Sequence, residues 1–439
     1  MKSLSGWGRY PKVPCRVIRA RSDADVTEAI ADAPLIARGN GRSYGDPSLN
    51  PDMTLDMTGM DRMLSFDADT GVLVAEAGVL LGDVITACLP QGWFPSVTPG
   101  TKFITLGGAI AADVHGKNHH CDGSFGAFVD WIDLVGPDAE VIRVTPQDDL
   151  FHWTLGGMGL TGVILRAQIR LTKVESAWIE QDMRPTANLS ETMDEIEATR
   201  DVPYSVAWID CTTQGLHMGR SLVMLGRHAR KVDLPRKKRL DPFGIPPKSR
   251  KRMPIDLPGF ALNSATLGAF NTAYYWNGKR KAGKSLLDWD SYFYPLDAIL
   301  DWNRVYGRRG FLQFQCALPH DTARDGLKAL MKRITASGLG SPLAVLKQFG
   351  PQDGRFSFPM PGYTLALDFP ATDRSLTLMD RLDAITLDHG GRFYLAKDAR
   401  MPKDVLDKSD PRAEAFARMR KQTGLSDRFR SVQSERLGL

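Results

Sequence analysis

Three glycine-rich stretches and two polar clusters are where this chain could do chemistry. Gly39-Asn40-Gly41-Arg42-Ser43, Pro99-Gly100-Thr101 with Leu106-Gly107-Gly108-Ala109, and Gly156-Gly157-Met158-Gly159 all precede Leu160. Glycine permits positive φ and close backbone approach, so exposed N–H groups can cradle a pyrophosphate. One such loop alone is a turn as readily as a site. Three together, with Arg42, Ser43 and Thr105 as donors, fit an anionic dinucleotide. A literal Gly-x-Gly-x-x-Gly spans residues 157–162, but the helical "DDLFHWTL" precedes it and the strand "VILRAQIRL" follows. A dinucleotide fingerprint needs the reverse order, so a Rossmann site is rejected. The run "HGKNHH" supplies His115, Lys117, His119 and His120. His119 and His120 are expected to point apart on a strand, and no carboxylate or cysteine motif joins them, so no metal site is expected. In "FLQFQ", side-chain alternation puts Gln313 and Gln315 on one face of a strand. Two amides projecting together suit sugar hydroxyls, since each offers a donor and an acceptor.

The elements that must position these residues are short strands and glycine turns in the first third of the chain. "GVLVAEAGVLLGDVITACLPQGW" reads as strand, turn, amphipathic helix and glycine stop. "WIDLVGPDAEVIRV" reads as a hairpin around Gly136-Pro137-Asp138. "GVILRAQIRLTKV" alternates as a strand. Past Val174 the texture changes: "SETMDEIEATRDV" signals a helix and "YSVAWIDC" a strand. Residues 227–254 are basic and Pro-rich, and no regular structure is expected there. From Trp289 the reading runs strand "FLQFQCALP", helix "DGLKALMKRITASG", strand "YTLALDFP", helix "SLTLMDRLDAITLDHGG", then "RFYLAKD". No repeats appear. Boundaries are placed near Val174 and Gly390.

Bulk composition excludes several classes. Hydrophobic content of 43% and charged content of 24% over 439 residues fit a soluble globular protein of two or three domains. No apolar run reaches the ~18 residues of a membrane span, and the N-terminus has no signal-peptide core. Five scattered cysteines without a Cys-x-x-Cys support neither zinc nor a disulfide framework. The expected location is the cytoplasm. The charge is uneven. Residues 226–254 hold eleven Lys or Arg against two Asp, a net +9 against +5 for the chain, so the remainder carries −4.

The stretches "ARGNGRSYGD", "TPGTKFITLGGAIAADVHGKNHH", "GGMGLTGVILRA" and "YLAKDAR", with "YPLD", "WNRVYG" and "GFLQFQ" in order between them, resemble the decaprenylphosphoryl-ribose 2′-oxidases. These are FAD enzymes of the vanillyl-alcohol-oxidase type. The resemblance spans nearly the whole chain. It implies an α+β fold: a PCMH/VAO-type FAD-binding domain from both chain ends, residues 1–174 and 391–439, around an inserted substrate domain. That insert, residues 175–390, would be an antiparallel sheet plus helices, with a basic mobile loop at 227–254.

By the same resemblance, Ala37, Arg38, Gly39, Asn40, Gly41, Arg42, Ser43, Tyr44, Gly45 and Asp46 form the loop around the FAD pyrophosphate, with Tyr44 toward the isoalloxazine. Gly100, Thr105, Leu106, Gly107, Gly108, Ala112, Asp113, Val114, His115, Val163 and Tyr394 complete the cofactor set. Many superfamily members link flavin to a histidine where this chain has Arg42, so the FAD is expected to be noncovalent. The family pattern puts Lys397 at the flavin, with Tyr44 and His115, as the catalytic set. Flavin oxidation of an alcohol moves a hydride from carbon while a base takes the hydroxyl proton. A free lysine titrates near ~10.4, and burial or nearby cations would bring it into a useful range. A charged Lys397 stabilising reduced flavin or alkoxide is an equally good role. Lys117, Trp208, Tyr294, Gln313, Gln315 and Lys347 are the substrate set, Lys347 being suited to a phosphate. Mycobacterial-type members read Gly-Trp-Asn-x-Cys where this chain reads Gly362-Tyr363-Thr364-Leu365-Ala366, which leaves the exact sugar and lipid open.

The implied reaction is oxidation of the 2′-hydroxyl of a polyprenylphosphoryl-ribofuranose to a ketone. A separate NAD(P)H-dependent keto-reductase would complete epimerisation to the arabinose derivative. The alternatives are an oxidase of a small soluble sugar, alditol or aldonolactone, and an inactive binding protein. The basic segment suits a peripheral contact with an anionic inner membrane, at ~1 kcal/mol per Lys or Arg, with Phe243, Ile245, Leu257 and Phe260 as apolar neighbours. Nucleic acid is not expected there, because no aromatics interleave with the charges.

Overall fold

Alternation along two neighbouring strands builds the wall of the site. In Phe311–Pro319, Leu312, Phe314, Cys316 and Leu318 are buried against the helices His320–Ser337 and Asp373–Asp388, which leaves Gln313 and Gln315 on the opposite face. Gly362–Pro370 repeats the pattern: Tyr363, Leu365, Leu367 and Phe369 enter that core, and Thr364, Ala366 and Asp368 turn the other way. The two strands pair antiparallel with Gln313 opposite Asp368 and Gln315 opposite Ala366. The computed structural model describes residues 1–246, 248–259, 262–352 and 354–439.

These strands belong to an antiparallel sheet of eight, ordered Gly283–Asp288, Trp178–Thr186, Ser221–His228, Tyr204–Ile209, Val345–Phe349, Gly362–Pro370, Phe311–Pro319 and Arg392–Phe393. Arg392–Phe393 lies just past residue 390 yet still pairs with this sheet. Facing it is a six-stranded antiparallel sheet that includes the hairpin Val129–Val135/Val141–Val144 and the long strand Val163–Lys173. A three-stranded parallel sheet, Val17–Arg19, Thr54–Asp56 and Ile36–Arg38, adjoins it. The two ends of the chain meet here: Leu35 N donates to Arg428 O at 2.7 Å and Arg430 N to Leu35 O at 3.0 Å. Arg436 then bridges Asp46 and Asp398, each at 2.8 Å. This tie fixes the glycine loop after Ile36–Arg38 against the turn that carries Lys397.

Three local readings need correction. Residues 227–254 are not free of regular structure: Ser221–His228 finishes there, Arg236–Leu240 is a short helix, and Lys251–Arg252 pairs with Ile299–Leu300. Lys238 places its ammonium 3.2 Å from the centroid of the Trp178 ring, and that cation–π contact holds the short helix down. Within the same segment Phe243 and Ile245 pack inward on the cluster of Trp178, Trp289 and Phe293, so they are not free to enter a lipid surface. Leu257 is half-buried, and Phe260 lies outside the described residues. His119 and His120 sit on the short helix His119–Asp122 rather than a strand. They still diverge: the His119 ring meets Gln352 Oε1 at 2.6 Å and the His120 ring meets Val202 O at 2.9 Å. The helix Ser264–Arg280, capped by Asn263 and Thr266, has no counterpart in the sequence reading. Its exposed Phe270, Tyr274 and Trp276 blur the apolar period that would have announced it.

Candidate active site

A single cavity of about 1040 Å³ runs between the glycine loops and the eight-stranded sheet. At one end its wall is Ala37, Gly39, Asn40, Gly41, Arg42, Ser43 and Tyr44, faced by Gly100, Thr105, Gly107, Gly108, Ala112 and Val114. Among the described residues, the backbone N–H groups of Asn40, Gly41, Arg42 and Ser43 donate to no protein acceptor. Gly41 has φ of 62°, the conformation that lets successive N–H groups converge on one anion. A Cβ on Gly39 would lie 2.1 Å from Thr105 Oγ1, so the close approach of these two loops requires glycine. The Arg42 guanidinium lies 4.4 Å from the Trp7 ring centroid and 5.5 Å from that of Phe103, and its buried Nε has no partner. Unpaired donors along a glycine wall, with a fixed cation, fit the pyrophosphate of a dinucleotide.

The inner wall carries the titratable groups. Lys397 follows the turn after Arg392–Phe393, and its ammonium lies 3.8 Å from the Tyr44 ring centroid. Burial lowers it to about 8, with the Asp368 carboxylate opposing the shift. Asp368 is buried and accepts from Gln313 Nε2 at 2.5 Å; burial pushes it up to about 7. The Tyr44 hydroxyl is held in its neutral form, chiefly by burial. Two strand positions further, Gln315 Nε2 lies 3.1 Å from His115 Nε2 and donates to Thr364 Oγ1 at 3.2 Å. Lys347 Nζ lies 3.1 Å from His115 Nδ1. With Gln315 donating to Nε2, the His115 proton sits on Nδ1 and Lys347 receives it as a neutral amine. That state suits Lys347, which burial lowers to about 7. Charging Lys347 would reverse the tautomer and turn the amide.

Lys117 also faces the cavity. It donates to the Tyr292 carbonyl, stands 4.1 Å from the Tyr292 ring centroid, and is lowered by burial to about 7. Lys117 and Lys347 therefore line one cavity with no carboxylate paired to either among the described residues. Trp208 lines the outer part, its Nε1 donating to Pro342 O at 3.1 Å and its ring 4.7 Å from that of Tyr274. Phe270, Tyr274, Ile299 and Leu300 continue this apolar side.

Seven of the expected residues lie outside the cavity lining, and each has structural partners instead. Arg38 donates to Ser5 O and Ser48 Oγ. A Cβ on Gly45 would lie 2.0 Å from Asp398 O, so that glycine serves backbone packing. Asp46 is the partner of Arg436. Leu106 and Val163 are core. Asp113 accepts from Gly126 N and Gln352 Nε2, each at 2.8 Å, and from Ser357. The Tyr294 hydroxyl bonds Thr98 from behind the wall. Tyr394 lines the cavity, its hydroxyl donating to Ala112 O at 2.8 Å. The sequence reading did not single out Asp368, Trp7 or Asp297, which also line it. For Asp368 a signal existed, since alternation in "YTLALDFP" puts it on the face of Thr364 and Ala366.

Fold and similarity to known proteins together make the chain an FAD-dependent oxidoreductase on an α+β fold of the PCMH type. Residues 14–145 match the FAD binding domain family. The fold itself is that of the BBE-like 1 protein of Physcomitrella patens, with a TM-score of 0.65 and 14% identity over 94% of this chain and 89% of that one. The chain belongs to the family of the decaprenylphosphoryl-beta-D-ribose oxidase of Mycolicibacterium smegmatis, to which it is 35% identical over 100% of its own length and 98% of the relative's. A Streptomyces coelicolor protein of unassigned function is 32% identical over 80% of this chain and 97% of its own.

Proposed function

We propose that the chain oxidises the 2′-hydroxyl of a polyprenylphosphoryl-ribofuranose to the 2′-ketone. This is the first half of an epimerisation that an NAD(P)H-dependent keto-reductase completes. The observation that carries the reading is the lining of one cavity. It joins the glycine loops, Lys397, Gln313 and Gln315, the lysines Lys117 and Lys347 with no carboxylate partner among the described residues, and an aromatic mouth of Trp208 with the exposed Tyr274 and Phe270. A neutral soluble sugar needs neither the two cations nor the apolar mouth.

Bound FAD would accept the hydrogen and electron pair from the alcohol carbon. Ala37, Gly39 to Ser43, Gly100, Thr105, Gly107 and Gly108 would hold it, noncovalently, with Tyr394 behind. The chain's own residues do the rest. Gln313 and Gln315 orient the ribose hydroxyls through paired donors and acceptors. Lys397, standing on Tyr44, receives the hydroxyl proton in its neutral form, or in its charged form stabilises negative charge that develops beside it. His115 holds Lys347, and Lys347 with Lys117 takes the phosphate.

The membrane contact moves from the basic segment alone to the helix Ser264–Arg280. That helix presents Phe270, Tyr274 and Trp276 to the outside and ends in Lys279, Arg280 and then Lys281. Aromatics with cations beside a cavity mouth suit an anionic headgroup layer, from which a long prenyl tail would not have to be extracted. The direct test is product capture. Incubation with prenylphosphoryl-ribofuranose followed by borodeuteride should yield ribose and arabinose epimers deuterated at C2′. Deuterium at another carbon, or none, would refute the reading.

A further inference from the structure

The wall that carries Lys397 also holds Asp368, a buried carboxylate to which the reaction above gives no task. Its hydrogen-bond partners are Gln313 Nε2 on one side and, through its own N–H, Ser341 Oγ at 3.0 Å. No cation lies within ion-pair distance of it among the described residues. Lys397 is in the same condition: its ammonium has the Tyr44 ring as its one side-chain partner among the described residues. Two opposite charges thus face one cavity without touching. Gln313 links Asp368 to the rim of Tyr44, and Tyr44 carries Lys397.

We propose that Asp368 is a positioning residue that acts through Lys397, its carboxylate governing whether Lys397 is charged or neutral across neutral pH. The inference rests on the placement of Lys397 at the flavin and not on the identity of the substrate.

Two opposing effects act on Lys397. Removing an ammonium from water favours its neutral form, and burial alone would carry Lys397 far below its ordinary 10.5. Of the other groups that face it, the His115 ring is neutral, and Lys347 cannot reverse this even when charged, because like charge pushes the same way. Tyr44 and Tyr306, the remaining titratable groups around Asp368, stay neutral. Among the described residues Asp368 is therefore the one opposing charge, and with it Lys397 settles near 8. An enzyme operating near neutrality then holds both forms of Lys397 in reach. Holding the carboxylate on the strand Gly362–Pro370, rather than in a direct ion pair, leaves the ammonium unengaged by it in the cavity.

The test reads the flavin without any substrate. The midpoint potential of the bound FAD is measured from pH 6 to 10 by dye equilibration in the wild type, Lys397→Met and Asp368→Asn. Asp368→Ser stands in if Asn at that position does not fold. A positive charge beside the flavin raises its potential, so subtracting the Lys397→Met curve isolates the contribution of Lys397. In the wild type this difference should fade with a midpoint near pH 8. In Asp368→Asn, or Ser, the midpoint should move down by at least about one pH unit, a tenfold rise in the acid dissociation constant. An unchanged midpoint in the folded, flavin-loaded variant would overturn the proposal, as would a wild-type difference with no pH dependence. Because no sugar is present, a wrong substrate assignment leaves both results readable.

Discussion

The Lys397 ammonium rests 3.8 Å from the centroid of the Tyr44 ring, so the first glycine loop and the C-terminal return of the chain meet at one point of the cavity. The contact depends on the tie of Arg436 to both Asp46 and Asp398, which neighbour Tyr44 and Lys397. A cation on an aromatic face is held by the ring quadrupole without a hydrogen-bond acceptor, and both Lys397 and Tyr44 line the cavity.

Lys397→Ala should therefore separate cofactor binding from chemistry. The glycine loops are untouched, so FAD stays bound. Flavin reduction by substrate should slow by ~10²–10⁴, the usual effect of removing one placed proton acceptor or charge. Stopped-flow reduction at near wild-type rate would rule out this role.

The expectation of noncovalent FAD rests on Arg42 in the first glycine loop, whose guanidinium is engaged between Trp7 and Phe103 and offers no linking imidazole. Acid or heat precipitation should release all yellow flavin into the supernatant. Colour retained in the washed pellet would show a covalent link elsewhere.

Anion affinity should depend on pH with a definite sign. Burial lowers Lys117 and Lys347 to about 7, so both carry charge below that pH and lose it above. A bound phosphate favours the charged forms. Its dissociation constant should accordingly be flat below pH 6 and rise above 7, by up to ~10-fold per pH unit for each lysine. Titration of a prenyl phosphodiester, whose own charge is fixed over this range, followed by the flavin spectrum, checks this. Lys347→Met should halve the slope, and an affinity that improves as pH rises would contradict the assignment.

Vesicle binding should respond to the helix Ser264–Arg280 more than to the interior of the basic segment. Changing Trp276, which lies outside the cavity lining, to Ser should weaken binding to anionic vesicles while a short, water-soluble prenylphosphoryl-ribose is still turned over. Changing Arg236, Lys237, Lys238 and Arg239 together to Gln should cost up to ~4 kcal/mol at ~1 kcal/mol each. Lys238 contributes least if its hold on Trp178 keeps it from the surface. Sedimentation with vesicles at low and high salt distinguishes these cases, since surface charges are screened beyond ~10 Å at 0.1 M. No change in either variant would return both surfaces to a solvated role.

Much of this site was legible because strand alternation is a strict code. Gln313 and Gln315 had to share a face, and the same rule in the neighbouring strand reaches Asp368. The glycine loops were legible because positive φ and close approach leave few residue choices, as Gly39 against Thr105 shows. What failed to show in the sequence is of another kind. Asp113 looks like a cofactor ligand beside "VHGKNHH", yet its carboxylate is spent on Gly126, Gln352 and Ser357, two of them more than 200 residues away. Phe243 and Ile245 sit among charges and read as a lipid-facing pair, but a cluster of aromatics from distant parts of the chain, Phe94, Trp178, Tyr204 and Phe293 among them, takes them in. Long-range burial of this sort leaves no local period to read.

The central claim, that the inner wall oxidises a lipid-linked ribofuranosyl phosphate, is tested most directly by anaerobic bleaching of the bound flavin. Polyprenylphosphoryl-ribofuranose should bleach the oxidised flavin band in a rapid single turnover. Ribose, alditols and aldonolactones at the same concentration should leave it yellow. Bleaching by the free sugars at equal or greater rate, with none by the prenylphosphoryl-ribose, would contradict the account.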